Sequence, residues 1–344
     1  MEIIFKKALK SKLIFLAIFL CIPSYTKEYK DLFNVYYPID STSNIQKTLN
    51  ESFNVMVYRL SGSSSPSNIW KIINAGNPRE KYILSYTSKR IDDKSYLVTN
   101  FNQELFMQTF LELDIPLVGY SRPSILLLLN IQDGINEGYF LSSNNIISND
   151  LNNALLDLIK KIELYRGVFV DLPELDLIDM QKQKEKNFLT QANDSVANKY
   201  NYDELINIEL VNTGINAWEV SGDISKSAAS NITEGLLGSV ESLLKDKIDK
   251  LLAQRTLKSS STSIVNISII GINTFEDYKE VKNSLNKSFI TKDISLSSYN
   301  NNEVKFKVEI YGTEEDFKSD FSSLLAFNFL EGSDEYIKYR YIND

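Results

Sequence analysis

The stretch SILLLLNI, residues 124–131, decides how the middle of this 344-residue chain is built. Five apolar side chains run without a break from Ile125 to Leu129. A strand with one wet face alternates apolar and polar residues, whereas a strand covered on both faces reads as a continuous apolar run. QDGINEG, residues 132–138, then reads as a turn, and Tyr139 to Ser142 as a returning edge strand. Leu151, Leu155, Leu158, Ile159 and Ile162 recur at helical spacing over 150–165, with Gly167 where a C-cap belongs. Val168 to Leu172 predicts a second buried strand, parallel to the first through the helix between them. Leu205 to Val211 and Ala217 to Ile224 predict a hairpin, and Thr190 to Tyr200 a helix.

The second strand runs into RGVFVDLPELDLIDM, residues 166–180, which carries Asp171, Glu174, Asp176 and Asp179 within nine positions. Ligands in open α/β sheets bind at the carboxyl ends of the strands. On that reading Asp133, Asp171, Glu174, Asp176 and Asp179 gather at one edge. Arg122 and Arg166, each just before its strand, sit at the opposite edge. The acids are candidates for a ligand or divalent cation, which needs two or more carboxylates converging on one point. The alternative is structural: Asp176 or Asp179 caps the next helix and the other acids are solvated loop residues. Arg122 and Arg166 are candidates for ligand or partner binding, or they pair with buried carboxylates or helix-end carbonyls. The structural reading is favoured for both sets. No EF-hand order is present.

Outward from this centre, residues 27–121 predict an N-terminal α+β unit. Asp31 to Tyr37 alternates like a strand, and Ser41 to Leu60 is helical with Ser41 or Thr42 as cap. A short helix surrounds Trp70. Glu80 to Ser88 and Ser95 to Phe101 read as strands, and Asn102 to Leu113 as an amphipathic helix. Residues 122–226 form the central α/β unit. Ser227 to Leu257 predicts a long amphipathic helix whose apolar stripe packs on the sheet, with Gly235 and Gly238 allowing close contact. A Ser-rich linker follows, so that residues 227–263 form helix and linker. Residues 264–344 give the order β-α-β-β-α-β of a ferredoxin-like split motif. Tyr336, Tyr339 and Tyr341 would decorate an exposed face of its last strand, open to β-augmentation.

Residues 1–26 read as a signal peptide: Lys6, Lys7, Lys10 and Lys12, an apolar run from Leu13 to Ile22, then small polar residues. The expectation is export to the periplasm, with tethering to the inner membrane if the segment is uncleaved. Leu20 before Cys21 argues against lipidation. Removing residues 1–26 takes away four lysines and Glu2, moving the net charge from −8 to −11. An acidic chain without a basic cluster is a poor nucleic-acid binder. The chain has no His, and its one Cys is Cys21. That excludes Ser-His-Asp and Cys-His catalysis, the usual zinc sites and disulfides in the mature chain. Ser242-Leu-Leu-Lys245 and Ser284-Leu-Asn-Lys287 match S-x-x-K without its companion motifs. No catalytic residue, metal or cofactor is expected, and no membrane span after the leader.

Several segments together resemble the exported proteobacterial proteins that carry domain of unknown function 2066. They are Leu49 to Gly62 (LNESFNVMVYRLSG), Arg122 to Leu129, Arg166 to Asp179, Ala197 to Leu205 and the Trp218 strand. Leu117-Val118-Gly119-Tyr120 departs from that pattern, which has an aromatic ahead of the arginine-proline pair. The order of elements is also similar at fold level to small α/β domains of envelope assembly factors, such as the N-terminal domain of TolB and the lipoprotein activators of penicillin-binding proteins. Those are binding modules, and the resemblance implies a non-enzymatic accessory or scaffolding role in the envelope, with an envelope protein as partner. The alternative is a periplasmic small-ligand or cation binder using the acidic strand end. A hydrolase working through carboxylates ranks third.

Overall fold

The computed structural model describes residues 29, 31–91, 94–133, 138–144, 149–175, 196–215, 217–223, 227–229, 235–257, 262–321, 324, 326–332 and 335–342. The leader, Asp176, Asp179 and most of the 190–200 helix lie outside these residues. The chain is α+β, with mixed and antiparallel sheets and seven helices among the described residues.

The first unit contains β1 (Asn34–Ile39), α1 (Ile45–Ser61), α2 (Ser67–Asn74), β2 (Ile83–Ile91), β3 (Lys94–Phe101) and α3 (Gln103–Glu112). Its sheet runs in the antiparallel order β1-β3-β2. Val35, Phe53, Met56, Leu60, Phe101 and Phe106 meet in its core. The cap of α1 is Asn44, whose side chain accepts from the Lys47 N–H at 3.0 Å. It is not Ser41 or Thr42, because Asp40 holds Thr42 in a local turn through contacts of 2.8 and 2.7 Å. Gly62 ends the helix at φ 69°, a conformation that costs a glycine little.

The central sheet follows β4 (Leu117–Val118) and comprises β5 (Ser124–Gln132), β6 (Tyr139–Phe140), α4 (Asp150–Arg166), β7 (Phe169–Asp171), β8 (Glu204–Gly214), β9 (Ala217–Gly222) and β10 (Ser227–Ala229). The order β10-β9-β8-β5 continues to an edge that two strands share. β7 lies parallel to Ser124–Leu126, and β6 antiparallel to Asn130–Ile131. β5 is covered on both faces. Ile125, Leu127, Leu129 and Ile131 pack with α4 in the main core, and Leu126 and Leu128 pack with Leu175, Val196 and Ala197. That explains the unbroken run, since burying each Leu or Ile is worth about 1.5–3 kcal/mol on either face.

The long helix, α5 (Leu237–Gln254), is shorter than its stripe predicts. Ser227–Ala229 instead pairs antiparallel with Trp218–Val220 as the sheet's last strand. Val240, Leu244, Ile248 and Leu252 of α5 join the main core, as the stripe predicts. Gly238 is not a close contact, since a Cβ there would meet nothing within 4 Å.

After β11 (Thr256–Leu257) come β12 (Thr262–Ile270), α6 (Phe275–Lys287), β13 (Thr291–Asn300), β14 (Glu303–Tyr311), α7 (Glu314–Phe321), β15 (Phe327–Gly332) and β16 (Ile337–Tyr341). The sheet order is β13-β14-β12-β16-β15. This departs from the split βαββαβ motif. An extra strand, β15, takes the outer edge, and β16 returns beside β12 in parallel register, Ile267 against Ile337. The position of Tyr339 and Tyr341 is corrected with it. They are 0% and 7% exposed in the core, because β16 is an interior strand.

The three units meet around residues 117–122. β4 pairs with β11, and Phe289 reaches the first core, with ring centroids 5.7 Å from Phe33 and 4.9 Å from Tyr120. Among the described residues no helix is long and apolar enough to cross a membrane.

Candidate functional site

Two charged constellations stand out, and they are placed differently from one another. The first surrounds the carboxyl end of α1. The last carbonyls of a helix have no partner within it; two buried arginines, Arg122 and Arg166, take up carbonyls at the end of α1, and a third, Arg59 of α1 itself, reaches outward. Arg122 donates to the Arg59 carbonyl at 2.8 Å and to Val118 at 2.9 Å. Arg166 donates to the Tyr58 and Gly62 carbonyls at 3.3 and 3.0 Å, and pairs with Asp249 of α5. Arg59 donates to the carbonyls of Leu32 at 2.6 Å and Asn34 at 2.8 Å, and to Leu164 in the last turn of α4. All three are at most 4% exposed.

Burial depresses the pKa of each arginine. For Arg122, where Arg59 and Arg166 add their repulsion, the value falls to about 9. Arg122 therefore stays charged at neutral pH. Carbonyl dipoles supply most of the compensation, with Asp249 as the carboxylate partner of Arg166. The Nε–H groups of all three arginines lack a partner among the described residues. The guanidinium nitrogens of Arg122 and Arg166 that do bond are committed to main-chain carbonyls and, for Arg166, to Asp249, and both side chains are buried. Arg59 was not among the expected site residues. Its signal was available: like Arg166, it stands in the last turn of a helix just ahead of a capping glycine.

Gly167 shows how tightly this junction closes. It holds φ 59° at the end of α4, and a Cβ there would lie 2.9 Å from Cγ of Arg59. Only a glycine supplies both the left-handed conformation and the space.

The second constellation is the acidic strand exit, and the structure divides it. β7 pairs only with the first three residues of β5, which sets Asp171 beside Leu126. Asp133 follows the far end of β5, on the order of 20 Å further along at the rise of a strand. Asp133 accepts instead from Asn212 Nδ2 at 2.8 Å. The expected gathering of Asp133 with Asp171 and Glu174 is therefore corrected: a short strand cannot bring its end level with that of a long one. Pro173 contributes, since it has no N–H to continue a ladder. Asp176 and Asp179 lie outside the described residues.

Asp171 and Glu174 do share one cleft of about 630 Å³, open to solvent, with Ser124, Lys199, Tyr200 and Asn201. Asp171 accepts from the Ser124 hydroxyl at 3.0 Å. The Glu174 N–H donates to the Tyr200 hydroxyl at 2.5 Å, which fixes the loop after β7 to residue 200. Two acids, a lysine, an amide and hydroxyls could hydrogen-bond a small polar ligand. Among the described residues no group of three or more His, Cys, Asp or Glu side chains could hold a metal ion.

A further buried acid lies between the units. Asp320 of α7 is 4% exposed and accepts from Ser288 Oγ at 2.6 Å and from the Tyr120 N–H at 3.1 Å. Burial raises its pKa, outweighing those donors and the attraction of Arg122. Nothing in the local sequence marks it, because its role depends on Gly119, whose missing Cβ leaves room for the carboxylate.

Compared with protein-family models, with curated proteins and with solved structures, the chain matches none.

Proposed function

We propose that the protein acts by binding other proteins, as an exported accessory or scaffolding component of a bacterial cell envelope, and that it is a relative of the proteins carrying domain of unknown function 2066. The motif likeness supports the relationship, and the leader-like residues 1–26 support export. The observation that carries the binding reading is the pair of outlying edge strands. Seven of the nine residues of β2 are exposed, including Leu84 at 62% and Tyr86 at 55%. β13 is exposed from Ser295 to Asn300. An edge strand offers unpaired main-chain donors and acceptors, which partners recognise by adding a strand. Crosslinking in intact envelopes followed by affinity capture of the full chain tests this. The expected result is a reproducible partner that is lost when Leu84 and Tyr86 of β2 and Leu296 of β13 are changed to Glu. Capture of nothing above the untagged control would sink it.

The cleft beside Asp171 supports a second reading, a small-ligand or divalent-cation binder. A melting scan with Ca²⁺ or Mg²⁺ separates the two. A site predicts a shift that Asp171→Asn abolishes, whereas a structural strand exit predicts no cation-dependent shift.

A further inference from the structure

We propose that Tyr37 of β1 and Tyr165 of α4 form a modification site, where a one-electron oxidant joins the two rings through a carbon–carbon bond and ties the first unit to the second. The inference stands apart from the binding reading and does not depend on it.

The chain has 19 tyrosines. Among the described residues, one ring contact joins two of them. The rings of Tyr37 and Tyr165 stack with centroids 5.7 Å apart and planes 16° from parallel, within the range of a favourable aromatic pair. Both residues are partly buried. A diffusing oxidant reaches them, yet their surroundings hinder coupling to a second copy. Tyr86 and Tyr299, 55% and 54% exposed, lack that protection.

The arginine junction sets the pair in place. Arg59 donates to the carbonyl of Asn34, the first residue of β1, at 2.8 Å, and to the carbonyl of Leu164, the neighbour of Tyr165. One guanidinium thus holds the backbones on which both tyrosines stand. Groups held together in this way react as though at very high concentration. The usual oxidative staple needs two thiols, and Cys21 is the one cysteine.

The surroundings also select the chemistry. Burial raises the pKa of both phenols, and Glu51 adds to the rise. Their own contact lowers Tyr37 and raises Tyr165, so the Tyr165 hydroxyl offers its proton to that of Tyr37. Both phenols are therefore protonated at neutral pH. Lys161 Nζ lies 5.8 Å over the Tyr165 ring, where a cation opposes positive charge on the ring. Each phenol accordingly gives up an electron and a proton together. Two equivalents of oxidant take the two electrons, and the two protons pass to solvent. The phenoxyl radicals combine between ring carbons that flank the hydroxyls, which the meeting of the hydroxyls brings close. Each coupled carbon then loses its hydrogen to its own phenol oxygen, and both rings are aromatic again.

The test exposes the full chain, at dilute concentration, to photoexcited ruthenium tris-bipyridyl with persulfate, a one-electron oxidant. Mass spectrometry of the digested monomer reads the product. The expected result is a linked peptide pair carrying Tyr37 and Tyr165, lighter by two hydrogens than its halves. It should form in ~10-fold or greater excess over any other tyrosine pair, as held reactants do. Oxidation should also raise the urea unfolding midpoint. Tyr165→Phe and Tyr37→Phe keep the ring and remove the phenol, and circular dichroism confirms that they fold. Each should lose both the linked peptide and the rise in midpoint. Oxidised tyrosines without this link overturn the proposal, as do cross-linked dimers in excess over the internal product. A link from Tyr165 to Tyr96, whose phenol also acts on it, in place of Tyr37 overturns the pairing.

Discussion

The junction of buried arginines and the acidic exit after β7 lie within a few residues of each other, yet they are opposite solutions for charge. Arg166 is 4% exposed and enclosed by carbonyls and Asp249. Asp171, five residues on, lines an open cleft and accepts from the Ser124 hydroxyl. An arginine can lie in the core because its several N–H groups fan out to several acceptors, and helix ends provide such acceptors in excess. A carboxylate has no N–H of its own and depends on donors around it, and Asp171 keeps part of its surface in the open cleft. A charge next to a strand therefore says little about function until the groups around it are known.

The comparison breaks first at Arg59. Arg59→Met should lower stability by on the order of 3–5 kcal/mol, since it strands buried carbonyls in two units. A urea unfolding midpoint within error of wild type would mean that the carbonyls find water instead. Gly167→Ala comes next, at about 1–3 kcal/mol, from a positive φ and the contact with Arg59. The joint variant with Arg59→Met should cost less than the sum, because the clash disappears with the side chain.

Asp320 sharpens the contrast, being an acid buried as deeply as the arginines. Its folded pKa lies above the ordinary Asp value, so the folded chain holds a proton in a window where the unfolded chain has released it. The stability owed to this carboxyl is full below the ordinary value, falls as pH rises through the window, and is lost above Asp320's own pKa. Asp320→Asn should flatten that part of the stability-versus-pH curve, by at most about 1.4 kcal/mol per pH unit. An unchanged slope would show that another group carries it. The smallest effect belongs to the open acids. Asp171→Asn and Glu174→Gln should each move stability by about 0.5 kcal/mol or less, and a larger loss would make the cleft a structural element.

Much of this arrangement was legible from the residues. Ile125 to Leu129 declared a strand covered on both faces, and Gly167 marked the end of α4. The position of Asp171 was not, because the length of a parallel pairing is set by where the chain leaves the sheet, here at Pro173, and not by the apolar run. The strand at Ser227–Ala229 was hidden because Ala228 also continues the stripe of α5, and the open side of β9 decided it. β15 was missed because six residues are too few for periodicity to tell a strand from a helix tail. That Arg122 and Arg166 reach helix-end carbonyls was among the structural alternatives the residues offered, but which helix supplies them was not legible, since carbonyls leave no trace in a sequence.

The arginine junction also ties distant parts of the chain to one another. The Leu164 carbonyl that Arg59 engages lies 105 residues further along, and the Asp249 carboxylate lies 83 residues beyond Arg166. Contacts so distant in the chain form late, after the loops between them have closed. The first unit can acquire its sheet and helices early, but its buried cation waits for the second unit, and the second waits for α5. A chain cut after residue 121 would leave Arg59 without Leu164 and α1 without Arg166. The three units thus depend on one another, each holding a buried group whose partner the next supplies.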